Sequence, residues 1–373
     1  MSKLDELYER LGVRKGISAA GSTTMYGGSK LRSEVTEIMI EASTVMLDMD
    51  ELNKAAGKMI GELTGAESGL VTSGSAGGLL LQACAVIAGD DPKKMSMLPD
   101  TDGMNNEIII QRSQRFPYDQ CYRAAGAKFI EIGDGKRCHE WQLEAAFSEK
   151  TAAVAYLFSP GTSKLALPLD RVCEMAHERG IPVIVDAASM LPPRENLSKY
   201  HKMGADLVIH SGGKGIRGPQ GTGLLSGKKH LIDAAFANAS PHQFLGRSAK
   251  VAKEEIVGIL TALNNFVNED EQAEMEMFRK RSQKVVDAFS ETPGLDVDLK
   301  HDKTDYLTPN ASIFFNEEWE GPSAKDVIQR MRTGDKPVFI SNLIHPDEII
   351  FDPLNVGDDE VDEVIKTIRE SMN

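Results

Sequence analysis

Between about Glu62 and Ser226 the chain alternates short apolar or β-branched runs with segments of helical period. Few architectures accept that pattern. Parallel strands cannot be joined by a tight turn and need a crossover, most often a helix, so alternation of this kind predicts a mostly parallel sheet with helices on its faces. Seven strands are expected, at Gly69–Thr72, Glu107–Gln111, Lys128–Ile132, Ala152–Phe158, Pro182–Asp186, Leu207–His210 and Gly223–Ser226. Leu169–Arg179 reads as a crossover helix, with Val172, Met175 and Ala176 on one face and Gly180 as its stop.

Past Ser226 the texture changes to one long helical stretch, Lys250–Glu276, continued by Met277–Phe289 and broken at Pro293. The remainder reads as a smaller α+β unit with strands Ala311–Phe315 and Val338–Ser341 and a terminal helix Asp358–Met372. The expected division is therefore a large domain over 61–265 and a small C-terminal domain over 266–373. Residues 1–60 are expected to pack with the small domain or along the large one.

Charge narrows the partners. Lys and Arg number 42 against 56 Asp and Glu, a formal charge of -14 that repels polyanions and makes nucleic acid an unexpected partner. Cys84, Cys121, Cys138 and Cys173 have no zinc-like spacing, nor do His139, His201 and His242, so no metal is expected and the thiols read as reduced. Met1–Arg10 lacks the apolar core of a secretory signal, and no apolar run approaches a membrane span. A cytoplasmic protein is expected.

Three local features carry chemistry. The first is Ser211-Gly212-Gly213-Lys214-Gly215, a lysine among glycines directly after an apolar strand. Glycines let a ligand ring approach the backbone, and a buried amine has a lowered pKa suited to imine formation. Lys214 is followed by Gly215, which does not fit a nucleotide phosphate loop; a purely structural glycine turn remains an alternative. The second is Val183-Ile184-Val185-Asp186, a strand ending in a carboxylate. Ligands of open α/β sheets sit beyond the strand ends, and a carboxylate buried there needs a cationic partner. Alone it reads equally as a magnesium ligand or a helix N-cap.

The third is Val71-Thr72-Ser73-Gly74-Ser75-Ala76 followed by an apolar helix from Leu79 to Ile87. Free backbone N–H groups and the helix dipole would make this turn an anion cradle, with Ser73 and Ser75 adding hydroxyls; an ordinary tight turn is the alternative. In chain order the three give a phosphate cradle, a strand-end carboxylate and a strand-end amine. Those are the groups that would grip pyridoxal phosphate at its phosphate, its ring nitrogen and its carbonyl carbon.

With Met49-Asp50-Glu51-Leu52, Thr64-Gly65-Ala66-Glu67, Tyr118-Asp119-Gln120, Gly126-Ala127, Gly204-Ala205-Asp206 and Lys250-Val251-Ala252-Lys253-Glu254, they make the chain resemble the aspartate-aminotransferase-like (fold type I) pyridoxal-phosphate enzymes. Within these it is similar to the selenocysteine-synthase-like branch that includes D-glucosaminate-6-phosphate ammonia-lyase. The resemblance implies that Lys214 forms the imine with the cofactor and that Asp186 pairs with the ring nitrogen. It implies also that Ser73, Gly74, Ser75 and Ala76 hold the phosphate, with Ser211 assisting. Gln111, Arg112, Arg115, Arg247 and Lys253 stand as candidates for the substrate side, Arg247 and Lys253 for the phosphate too, and each reads equally as a surface position.

The chain departs from the family in two ways. Selenocysteine synthase carries an amino-terminal region for its tRNA, whereas this acidic chain starts almost at the catalytic fold, so a tRNA substrate is not expected. Many fold type I enzymes place a carboxylate-binding arginine on a small-domain strand, where this chain has Pro337-Val338-Phe339-Ile340-Ser341-Asn342. The resemblance implies a lyase acting on an amino acid or amino sugar acid, assembled as a homodimer or higher oligomer. An aminotransferase or racemase shares the first steps, and a non-catalytic sugar-phosphate or nucleotide-binding protein is the reading from another class.

Overall fold

The computed structural model describes residues 2–161, 166–342 and 345–373. The chain divides into two compact units, one of residues 1–30 with 270–373 and the other of residues 31–269. The divisions fall at 30/31 and 269/270 instead of the expected 60/61 and 265/266, so the amino-terminal sixty residues are shared between the two units. The first thirty contribute a two-residue strand, β1 (Ile17–Ser18).

The larger unit holds a seven-stranded sheet of β2 (Ser68–Ser73), β3 (Glu107–Gln111), β4 (Lys128–Ile132), β5 (Thr151–Leu157), β6 (Val183–Asp186), β7 (Leu207–Ser211) and β8 (Thr222–Gly227). Their order is β2-β8-β7-β6-β5-β3-β4. Strand β8 runs antiparallel to both its neighbours and every other pairing is parallel. The carboxyl ends of β2, β3, β5, β6 and β7 therefore share one edge of the sheet. All seven residues of β5 and all four of β6 are buried, which is why these strands read as unbroken apolar runs and not as alternating ones.

Helix Gly74–Ala88 lies in the core of this unit, where Leu79, Leu81 and Ala85 pack with Ile110, Ile184, Leu207 and Ile209 of the sheet. Its approach is close because Gly78 lacks a side chain: a Cβ there would stand 2.4 Å from Ile209 Cδ1. Gly78→Ala is accordingly expected to destabilise the protein by about 1–3 kcal/mol, read as a lower urea midpoint with an unchanged slope.

The expected crossover helix is present as Leu169–His177. The long helix expected over Lys250–Glu276 is instead two, Lys253–Asn268 and Glu271–Phe289. Asp270 separates them because its carboxylate accepts the Ala273 N–H at 3.0 Å and so caps the second helix. Periodicity persists across such a break, so apolar spacing alone merges the pair.

In the smaller unit β9 (Leu295–Lys300), β10 (Asn310–Phe315), β11 (Val338–Phe339) and β12 (Glu348–Phe351) complete the strands. Strand β10 lies between β9 and β12 in an antiparallel sheet, and β11 pairs in parallel with β1. Ala311, Ile313, Phe315, Ile349 and Phe351 make one apolar face, packed with Val327 and Met331 of helix Ala324–Thr333 and Val364 and Ile368 of helix Val361–Met372. The expected terminal helix thus starts three residues late. No helix among the described residues is long and apolar enough to cross a membrane.

Candidate active site

Strand β6 delivers Asp186 to the carboxyl edge of the sheet, buried at 9% exposure, where its carboxylate accepts the Ala188 N–H at 3.0 Å. Burial pushes the Asp186 pKa above the usual carboxylate range, and the charge of Lys214 pulls it part of the way back. The reciprocal holds for Lys214, whose amine burial keeps below the ordinary lysine value while Asp186 opposes that shift. The two strand-end residues singled out in the sequence are thus close enough to feel each other's charge inside one buried region.

Lys214 sits in a tightly wound loop. Gly212 donates to the Thr222 carbonyl at 2.8 Å, Gly218 to the Gly212 carbonyl at 2.8 Å and Arg217 to the Lys214 carbonyl at 2.9 Å. The protein's own packing requires these glycines: a Cβ on Gly212 would lie 2.2 Å from Thr222 Oγ1, on Gly213 2.4 Å from Gln220 Cα, and on Gly215 2.3 Å from the Leu191 carbonyl oxygen.

The turn between β2 and helix Gly74–Ala88 has the expected form with one change. Gly74 adopts φ +63°, with open space where a side chain would stand. Its N–H is already donated to the Gly221 carbonyl at 2.7 Å, so Gly74 shapes the turn and offers no donor. Ser75 and Ala76 stand in the first turn of the helix, where backbone N–H groups have no partner within the helix. The Ser73 hydroxyl makes no capping bond to the helix. Ser211 ends β7, buried, with its N–H on the Ala188 carbonyl at 3.3 Å.

Four of the five substrate-side candidates have other commitments. Gln111 is buried and its Oε1 accepts the Leu167 N–H at 2.7 Å. Arg112 is exposed and pairs with Glu131 at 3.4 Å. Arg115 donates to Asp119 at 2.5 Å, pairs with Glu131 and lies over the Phe129 ring. Arg247 is exposed in a short turn. Lys253 donates to the Ala42 carbonyl at 2.8 Å and pairs with Glu254.

None of the five lines the pocket that Asp186 enters. That pocket is walled by Leu79, Gln114, Phe116, Tyr118, Asp119, Tyr122 and Tyr156, among others. In the sequence Tyr118 and Asp119 stand out as a motif without a role, and Gln114 and Tyr156 give no signal. A polar run directly after β3, at the ligand-facing edge, is the available clue.

Asp186 is braced from behind. Tyr122 donates to Gln82 Oε1 at 3.0 Å and Gln82 Nε2 to the carbonyl of Val185 at 3.2 Å, so two buried side chains fix the residue preceding the carboxylate. Burial holds the Tyr122 phenol well above its ordinary value, with the Asp186 charge adding to the effect. Tyr122→Phe leaves Gln82 Oε1 without its donor and is expected to cost about 1–3 kcal/mol in a denaturant titration.

The donor set fits pyridoxal phosphate. Asp186 is a buried carboxylate needing a cation, Lys214 a half-buried amine suited to imine formation, and the helix start supplies backbone N–H groups suited to an anion. Residues 107–261 match the aminotransferase class-V family. Over 370 residues the chain is 30% identical to the D-glucosaminate-6-phosphate ammonia lyase of Salmonella typhimurium, covering 98% of this chain and 97% of that protein.

The chain belongs to the D-glucosaminate-6-phosphate ammonia lyase family. A solved structure of D-glucosaminate-6-phosphate ammonia-lyase superposes with a TM-score of 0.85 at 29% identity, covering 98% of each chain. A 5'-C-glycyluridine monooxygenase-decarboxylase of a Streptomyces species is 28% identical over 98% of this chain and 92% of its own length. The family and its fold type I architecture make this chain a pyridoxal 5'-phosphate-dependent enzyme of the lyase type. The reading as a non-catalytic nucleotide or sugar-phosphate binder is set aside by that membership.

Proposed function

We propose that this chain is an ammonia-lyase acting on a β-hydroxylated amino acid of the amino sugar acid class, with Lys214 and Asp186 as its catalytic residues. The observation that carries the reading is a half-buried amine and a buried carboxylate close enough to feel each other's charge at neighbouring strand ends.

Bound pyridoxal phosphate supplies an electron sink for charge developing on the substrate carbon that bears the amino group. Asp186 holds the proton on the ring nitrogen, its carboxylate gaining the cationic partner that burial demands. The Ser75 and Ala76 N–H groups, with the Ser73 and Ser211 hydroxyls, hold the phosphate at the helix start. Lys214 Nζ, whose pKa burial lowers, accepts the proton from the substrate α-carbon as general base. The β-hydroxyl leaves with a proton as water, one water is taken up, and ammonia departs to give a 2-oxo acid, so the net change is loss of ammonia. Phe116, Tyr118 and Tyr156 line the pocket that Asp186 enters.

The test is to incubate the purified, cofactor-loaded protein with phosphorylated 2-amino-2-deoxy sugar acids and with serine-like amino acids. Equal yields of ammonia and 2-oxo acid are expected without a second keto substrate. An amino product that forms only when a 2-oxo acid is added would make it an aminotransferase, and exchange of the α-proton without ammonia would make it a racemase.

We also infer a cytoplasmic homo-oligomer that does not bind nucleic acid. Ile40, Val45, Met46 and Leu47 are exposed at 68%, 51%, 92% and 43% within one short segment of the larger unit, an apolar run that a second copy would cover. The charge of -14 supports the absence of polyanion partners. Light scattering is expected to give a mass of at least two chains, and a monomer at micromolar concentration would contradict it.

A further inference from the structure

The amino-terminal helix Lys3–Leu11 is closed at both ends by its own sequence. Ser2 Oγ accepts the Asp5 N–H at 3.2 Å and the Asp5 carboxylate accepts the Ser2 N–H at 3.0 Å. At the other end Gly12, at φ +67°, turns the chain so that the Val13 N–H reaches the Tyr8 carbonyl at 2.9 Å. The chain beyond is fastened within the smaller unit: Lys15 pairs with Asp5, and Arg14 donates to the Gly334 carbonyl at 2.6 Å. Yet the helix buries none of its nine residues, and so short a helix is not held by backbone bonding alone. Leu4, Leu7 and Leu11 repeat at helical spacing along one face and are 50%, 39% and 60% exposed, with Val13 at 54% just beyond. A stripe of this kind calls for a cover.

Charge says what that cover is. At about 100° per residue, Lys3 and Arg10 fall beside the stripe next to Leu7, while Glu6 and Glu9 fall on the opposite face. Both cations are exposed, and neither enters an ion pair among the described residues. The open face of the helix is thus apolar with a positive border. The exposed run of Ile40, Val45, Met46 and Leu47 on the larger unit has the complementary character. It lies within residues 33–53, which carry Glu34, Glu37, Glu41, Asp48, Asp50 and Glu51 and no Lys, Arg or His. Of these carboxylates only Asp50 is half-buried; the others are exposed. Two apolar patches of opposite charge on one chain match each other and repel their own kind, which favours exchange between copies over pairing of like with like.

We propose that helix Lys3–Leu11 of one copy docks on the acidic apolar corner at residues 37–48 of a second copy, so that two chains exchange their amino-terminal arms. Leu4, Leu7 and Leu11 cover Ile40, Val45, Met46 and Leu47, and Lys3 and Arg10 meet the carboxylates of that corner. This docking rests on the homo-oligomer of the proposed function and supplies the surfaces that build it. Leu7→Glu with Leu11→Glu sets like charge against the corner, and the dissociation constant from sedimentation is expected to rise at least about 100-fold with an unchanged circular dichroism spectrum. Arg10→Glu is expected to raise it about tenfold, with less effect at high salt.

A bismaleimide that spans two thiols is expected to double the mass of the Leu7→Cys/Met46→Cys double variant on a denaturing gel, and to leave each single variant at the mass of the parent treated alike. Doubling by either single variant, where like pairs with like, would overturn the exchange. So would a double variant that links only within its own chain, or a tight oligomer indifferent to the two glutamates. Binding of the parent to phosphatidylcholine vesicles containing phosphatidylserine, without the doubled band, would give the stripe to a membrane surface and overturn it too. A parent that stays monomeric would contradict the oligomer itself, whereas an oligomer without the doubled band contradicts the exchange alone.

Discussion

Lys214→Ala is expected to give a folded, colourless protein whose turnover falls by about 10³-fold or more, while the parent is yellow when loaded with pyridoxal phosphate. The loss should be this large because one side chain is asked to do two things, anchoring the cofactor and moving the α-proton. The surrounding loop is held by backbone hydrogen bonds from Gly212, Gly218 and Arg217 that the substitution leaves in place. Folding should therefore survive the substitution. Circular dichroism identical to the parent with loss of the visible band would separate chemistry from misfolding. A variant that keeps both colour and turnover would remove Lys214 from the site.

Asp186→Asn carries the second large effect. The carboxylate sits at a buried strand end and accepts the Ala188 N–H, and an amide in its place cannot stabilise a protonated ring nitrogen. Turnover is expected to fall by about 10²-fold or more, and the rise in melting temperature on adding cofactor should shrink, since that rise reports differential binding to the folded state.

The pH dependence of this variant has a definite sign. Burial raises the Asp186 pKa in the folded chain, so between the unfolded value of 3.8 and the raised one the folded state holds the extra proton. The contribution of this group to the stability of the cofactor-free protein is therefore greatest below 3.8 and is lost as the pH climbs through the raised value. The asparagine side chain does not titrate and has no such component. Melting temperatures of stripped parent and variant are expected to converge toward the acid end of that window and to separate above it, in the variant's favour.

Much of this arrangement was legible in the sequence, for identifiable reasons. The sheet was readable because β5 and β6 are buried on both faces, which leaves unbroken apolar runs bounded by turn residues. Asp186 stood out because it ends such a run, and Lys214 because it is an amine among the glycines that follow another. The break at Asp270 was not, since a helix cap interrupts a periodic pattern without disturbing it. Nor were the commitments of Arg112, Arg115 and Lys253: local sequence shows a cation near a strand end but not the Glu131, Asp119 or Ala42 oxygen that engages it. Gln114 was invisible for the opposite reason, because a neutral side chain becomes notable only once its burial and the lack of an acceptor for its amide are known.

Whether Asp186 and Lys214 meet opposite ends of one pyridoxal ring is tested most directly by a crystal structure of the cofactor-loaded protein. Continuous density from Lys214 Nζ to the cofactor, with the Asp186 carboxylate about 2.7–2.9 Å from the ring nitrogen, is the expected result. A cofactor bound to a different lysine, or a ring whose nitrogen faces away from Asp186, would contradict it.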